Sequence, residues 1–129
     1  MIVEGKYSRL GVGNDLFKTA KSVKRILCPN KNAFSRYERI YSAVKKWGDG
    51  RLVLIALGPT ATVLAYDLAK INIRAIDLGH LDLEYEWYLS GATERKLVNN
   101  KIVNEINVEN ELTEIKEKKY IDSILEEIK

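Results

Sequence analysis

The chain has 129 residues, 46% of them hydrophobic and 30% charged, with a formal net charge of +3; this is the make-up of one globular domain with a modest core. No apolar run approaches the roughly 18 residues of a membrane span, and Met1-Ile2-Val3-Glu4-Gly5-Lys6 lacks the basic and apolar regions of a secretory signal. The single cysteine, Cys28, excludes an internal disulfide and a cysteine-built metal site, so the expected compartment is the cytoplasm.

The charge is uneven. Residues 1–51 hold twelve Lys and Arg against four Asp and Glu, a net of +8, and residues 52–129 hold nine against fourteen, a net of −5. A basic half can attract phosphates, nucleic acid or an anionic surface. Lys18, Lys21, Lys24, Lys45 and Lys46 fit solvated helix faces and loops equally, and no aromatic residues interleave with them as single-strand binding requires. Nucleic acid is therefore not an expected partner.

Ile2-Val3 reads as the end of a buried strand. Gly5 to Gly13 is a loop with three glycines, and Asn14 or Asp15 can cap a short helix after it. Val23 to Leu27 is a second strand, stopped by Cys28-Pro29-Asn30. From Ala33 to Trp47 the apolar positions Phe34, Tyr37, Ile40, Tyr41 and Val44 recur every three or four residues, which predicts an amphipathic helix. Leu52 to Leu57 is a continuous apolar run suited to a central parallel strand. Gly58-Pro59 turns into a helix over 60–70, and Ile73 to Asp77 is the next strand, completing a βαβ unit. Residues 102–108 suggest a further short strand, and Glu111 to Lys129 a charged terminal helix. The fold class is α/β, a Rossmann-like parallel sheet with flanking helices, in one domain spanning 1–129. Because the chain opens on a strand, it reads as truncated at its N-terminus.

Ligands of open parallel sheets bind beyond the C-terminal ends of the strands. Three segments should converge there: Glu4-Gly5 with the loop to Asp15, the turn Gly58-Pro59-Thr60, and Leu78 to Glu84. Gly58 permits close backbone approach, and the first helical turn after it can hold an anion; an ordinary tight turn capped by Thr60 is the alternative. Gly11-Val12-Gly13 lacks the third glycine of a dinucleotide fingerprint, since Leu16 takes that place. It remains a candidate phosphate loop, with Asn14 and Asp15 beside it and Arg9 as its charged partner.

Asp82-Leu83-Glu84 carries the most chemistry. Carboxylates at i and i+2 point the same way in an extended segment and can then offer two hard oxygen ligands to Mg²⁺ or Mn²⁺. On a helix they lie about 200° apart; Asp82 and Glu86 would then share a face and Glu84 would meet water.

These residues resemble a known family. Ala56 to Ala69, followed by Ala75-Ile76-Asp77-Leu78-Gly79-His80-Leu81-Asp82-Leu83-Glu84-Tyr85-Glu86-Trp87, is similar to the signature region of the GT-D-fold glycosyltransferases. Val3-Glu4-Gly5, Ser8-Arg9, Gly11 to Phe17, Cys28-Pro29 and Asn32-Ala33-Phe34 resemble the segment preceding it, and Val103-Asn104-Glu105 the one following. The resemblance implies transfer of a sugar from a nucleotide-sugar donor, a UDP-sugar above all, to a glycan or glycoprotein acceptor in bacterial surface glycan synthesis. It implies Mn²⁺ or Mg²⁺ on Asp82 and Glu84. Glu4, Arg9, Gly13, Asn14, Asp15, Gly58, Pro59 and Thr60 would hold the donor, and Asp15, Glu86 or Glu4 would serve as the base. Family members also carry an N-terminal portion with an Arg-Gly-Asp-Gly-Glu-like segment that this sequence lacks. The chain thus reads as the C-terminal half of such a domain, or a nucleotide-binding remnant of one, with its first strand at an unpaired sheet edge and a tendency to self-associate.

Overall fold

Five short strands form one sheet in the computed structural model, which describes residues 1–103 and 112–129. They are β1 (Ile2–Gly5), β2 (Arg25–Cys28), β3 (Val53–Ala56), β4 (Ala75–Asp77) and β5 (Ile124–Glu127). Their order is β4-β3-β1-β2-β5, and every neighbouring pair is parallel. The α/β expectation of a parallel, Rossmann-like sheet with flanking helices is met.

β1 is the centre of this sheet, not its edge. Ile2 stands opposite Arg25 on one side and Leu54 on the other. All four residues of β1 and of β2 are buried, as strands covered on both faces must be. β3 is interior but off-centre, and only its alternate residues Val53 and Ile55 are fully buried. Among the described residues the edge strands are β4 and β5.

Strand alternation divides the side chains between two faces. Val3, Ile26, Cys28, Val53 and Ile55 meet the helices α1 (Tyr37–Trp47) and α2 (Pro59–Lys70). A 3-10 turn, Ala33–Arg36, leads into α1. Ile40, Ala43 and Val44 of α1 and Ala61, Leu64 and Leu68 of α2 are buried at spacings of three and four, the stripe a sheet-packed helix needs. Each fully buried aliphatic side chain contributes about 1.5–3 kcal/mol, and Leu64→Ala in this layer would cost roughly 2–5 kcal/mol. The opposite face carries Ile2, Glu4, Arg25 and Leu27, all buried, with Leu10 bonded to Glu4 and Arg25 and the Tyr120 ring against Arg25.

Two expected elements differ. After Asn14 the chain makes successive turns rather than a helix, because the Asn14 side chain takes the Leu16 N–H at 3.1 Å and so competes with a helical start. Residues 112–129 are not one helix either. α4 covers only Lys118–Ile121, and Ile124–Glu127 pairs with β2 as the edge strand β5. The acidic residues of β5 find partners at the rim: Trp47 Nε1 donates to Glu126 at 3.1 Å and Lys6 Nζ to Glu127 at 2.9 Å. Residues 104–108 of the proposed extra strand lie outside the described residues, and Ile102 and Val103 are not in a strand. Among the described residues no helix is long and apolar enough to cross a membrane.

Candidate active site

The chain runs from β1 to β2 on one side, then jumps across β1 to β3 and continues outward to β4. β1 and β3 are therefore neighbours whose connections leave in opposite directions, and such a switch point opens a crevice at the strand ends. A cavity of ≈ 350 Å³ lies there, lined by Gly5, Ser8, Asn30, Asn32, Phe34, Leu57 and Gly58-Pro59-Thr60 among others. Gly58 adopts φ 53 and ψ −142, and a Cβ built on it would meet nothing within 4 Å. That backbone conformation is almost confined to glycine. Pro59 opens α2 with no N–H to offer, so the first turn presents the Thr60 N–H and the positive end of the helix dipole. Phe34 lines the cavity and is 57% exposed, its ring tilted against Tyr37 with centroids 5.3 Å apart.

The loop after β1 contributes Gly5 and Ser8 to this crevice and Gly11 to Asp15 to a second cavity. Gly5 is closely met by the Asn30 side chain, which would stand 2.9 Å from an added Cβ and which accepts the Tyr7 N–H at 2.9 Å. Gly11 to Asp15 line the second cavity, of ≈ 460 Å³, with Lys18, Lys21, Arg25, Lys119 and Tyr120. The residues expected to hold one donor are thus shared between two spaces. Arg9 lines neither. It is 4% exposed, with Nη1 donating to Asn100 O and Nη2 to Thr113 O, both at 2.8 Å.

Asp82, Glu84 and Glu86 lie on a helix, α3 (Leu81–Leu89). Asp77 Oδ1 accepts the Gly79 N–H at 2.9 Å and closes β4, and Gly79 at φ 52 redirects the chain. Leu83 and Trp87, one turn apart, then pack with Val98 and Val103. This apolar pair makes the segment helical rather than extended, so the expected common direction of Asp82 and Glu84 is not realised. Glu84 is exposed, while Asp82 is 3% exposed.

Asp82 is fully engaged. Its Oδ1 accepts from Gly11 N at 2.7 Å and Asn14 Nδ2 at 3.0 Å, and its Oδ2 from Lys101 Nζ at 2.7 Å. Glu86 Oε1 accepts from Asn14 Nδ2 at 2.7 Å and Lys101 Nζ at 2.9 Å. Burial pushes the Glu86 carboxyl up, but Lys101 and Asn14 outweigh it and hold the group below its ordinary value. One ammonium therefore bridges two carboxylates, and Gly11 and Asn14 tie α3 to the glycine loop. Lys101 had no signal in the sequence; it is a single lysine in a polar stretch.

Glu4 is completely buried, paired with Arg25 Nη1 and accepting the Leu10 N–H at 2.7 Å. Desolvation raises its pKa against the pull of Arg25. Asp15 is the exposed one of the three candidate bases, and it accepts the Tyr85 hydroxyl at 2.6 Å.

A divalent ion shared by Asp82 and Glu84 does not fit this arrangement. The two carboxylates diverge, and Lys101 stands where a cation would balance Asp82. Among the described residues no group of three or more His, Cys, Asp or Glu could hold a metal.

A parallel sheet with a crevice at its switch point, a glycine loop and an open helix start define a Rossmann-like α/β protein. The comparisons narrow this. The family model described as glycosyltransferase GT-D fold matches residues 1–106, and the chain belongs to that family. It is 50% identical over 112 residues to the probable glycosyl transferase Gly of Streptococcus gordonii, and 43% identical over 128 residues to glycosyltransferase GlyD of Streptococcus pneumoniae serotype 4. These matches cover 87% and 99% of this chain but 16% of each relative. A solved domain of unknown function 1792, described as having a distinct glycosyltransferase fold, superposes with a TM-score of 0.93 at 47% identity, covering 99% of this chain and 46% of that one. A glycosyltransferase of the same domain type from Streptococcus sanguinis gives 0.91 at 45% identity over 99% and 48%. The chain spans about a sixth of the curated relatives and just under half of the solved structures.

Proposed function

We propose that this chain is the donor-binding portion of a glycosyltransferase that takes a nucleotide sugar, a UDP-sugar first among them, and transfers the sugar to a glycan or glycoprotein acceptor. The observation that carries this is the crevice between β1 and β3. It joins a helix start suited to a diphosphate with an exposed ring, Phe34, suited to stacking a base. The names of the relatives support the reaction class.

In this reading an acceptor hydroxyl attacks the anomeric carbon, the bond from that carbon to the diphosphate breaks, and the leaving charge is taken up at the start of α2. Of the three candidate bases, Asp15 takes the hydroxyl proton in this reading, because Glu4 is sealed in its pair with Arg25 and Glu86 is held by Lys101. Dependence on Mn²⁺ or Mg²⁺ belongs to the proposal on the strength of the D-x-E resemblance alone. The transfer is argued without an ion, since Asp82 and Glu84 share no direction.

Calorimetry with UDP tests this directly. UDP is expected to bind, and Phe34→Ala to weaken binding about tenfold by loss of base stacking, with no change in melting temperature. Repeating the titration with Mn²⁺ and with EDTA decides the metal. Absence of UDP binding under every condition, or full affinity in Phe34→Ala, would remove the crevice as the donor site.

A further inference from the structure

The second cavity has a chemistry that donor binding leaves unused. Lys18 and Lys21 reach it from the turns before β2, and Lys119 from α4. All three are exposed, and among the described residues none makes an ion pair. The acids in the lining are Glu117 and Asp15, the latter bonded to Tyr85. Three ammonium groups collected around one space repel each other unless an anion sits among them.

Arg25 adds an independent sign. It lines the same cavity and is 5% exposed. Its Nη1 pairs with Glu4 and its Nη2 donates to Leu10 O at 2.8 Å, yet its Nε finds no acceptor among the described residues. Buried donors are nearly always satisfied. Ser22 supplies a hydroxyl to the lining, that of Ser123 being donated to Tyr120 O, and the rings of Phe17 and Tyr120 supply apolar faces. Gly13, at φ 80, leaves the glycine-loop side open, with nothing within 4 Å of an added Cβ. The volume of ≈ 460 Å³ is that of a small-molecule site rather than a packing defect.

We propose that this cavity is the acceptor site and that it recognises an oxyanion on the acceptor: the carboxylate or phosphate of an acidic saccharide, held by Lys18, Lys21 and Lys119. The assignment to an acceptor rests on the glycosyltransferase reading; the recognition of an acidic sugar does not. The basic character of residues 1–51 then has a local purpose at this cavity. Asp15, in the lining of this cavity, would receive the proton of the acceptor hydroxyl in that reading.

The 129-residue chain can be titrated with three probes: a disaccharide containing a uronic acid, glucose 1-phosphate, and a neutral disaccharide. At least one acidic probe should bind about tenfold more tightly than the neutral one, as charge-assisted hydrogen bonds require. Whichever acidic probe is tighter identifies the source of the oxyanion. The double variant Lys21→Gln/Lys119→Gln should lose about tenfold in that affinity while keeping UDP affinity within about twofold. Both lysines are exposed, so an unchanged melting curve separates lost binding from lost fold. The proposal is overturned if acidic probes bind no better than neutral ones, if the double variant binds them undiminished, or if UDP displaces them. Acidic sugars that bind while UDP does not would sink the donor reading and leave this site standing.

Discussion

Lys101 Nζ lies 2.7 Å from Asp82 Oδ2, and the two side chains are only 3% and 4% exposed. A buried pair like this adds little over an apolar substitute, but breaking it strands a charge. Lys101→Met is therefore expected to cost about 3–5 kcal/mol of stability, and Asp82→Asn to destabilise as well, since the amide cannot accept from Lys101 as a carboxylate does. The double variant Lys101→Met/Asp82→Asn should recover part of the loss, because the neutral amide leaves one stranded charge fewer. Urea denaturation of the four proteins gives the coupling. Additive effects would mean that the pair is not formed in solution.

The turn at Gly58 offers a test of the crevice that does not depend on Phe34. With φ at 53 and ψ at −142, a β-branched residue is strained by about 1–3 kcal/mol. It would also place its side chain in the open space beside the start of α2. Gly58→Val should lower the melting temperature modestly and weaken UDP binding by at least about tenfold. A variant that folds and binds UDP as tightly as the parent would put the donor elsewhere.

The interior of the sheet was legible because its strands are apolar runs flanked by glycine and proline, and β1 to β4 fall where those runs predict. β5 was not, because Ile124-Leu125-Glu126-Glu127 has only two apolar residues and follows a lysine-rich stretch that looks helical. Its strand state comes from pairing with β2, which no local pattern reports. The site was legible in its members but not in its geometry. Asp82, Glu86, Asn14 and Gly58 are where chemistry could occur, yet the helical state of α3 depends on Leu83 and Trp87 meeting Val98 and Val103. Only the folded chain brings Lys101 to Asp82.

Cys28 ends β2 at 1% exposure, and burial pushes its thiol up to about 12 from a reference of 9.0. A thiol that stays neutral and enclosed does not react. Iodoacetamide at mildly alkaline pH should leave the native chain unmodified and label it only in urea, as mass spectrometry would record. The sign for stability follows from the raised value. The contribution of the neutral thiol is complete below about 9 and is lost as pH rises toward 12. Labelling of the native chain at the rate of a free thiol would mean that the end of β2 opens in solution.

Self-association was expected from an unpaired first strand, but β1 is hydrogen-bonded on both sides and cannot be the sticky edge. The exposed edge is β4, three residues long, with Ile76 at 45% exposure and no strand beyond it among the described residues. Unprotected strand edges recruit other chains unless a charge is placed there. Asp77 gives little protection, because its carboxylate is occupied by Thr62 Oγ1 at 2.7 Å and Gly79 N at 2.9 Å. Ile76→Lys should therefore reduce concentration-dependent association in sedimentation velocity while shifting stability by less than about 0.5 kcal/mol, as surface changes usually do. If the parent chain is monomeric at all accessible concentrations, the β4 edge is not adhesive. If the variant associates as strongly as the parent, the contact lies on another surface.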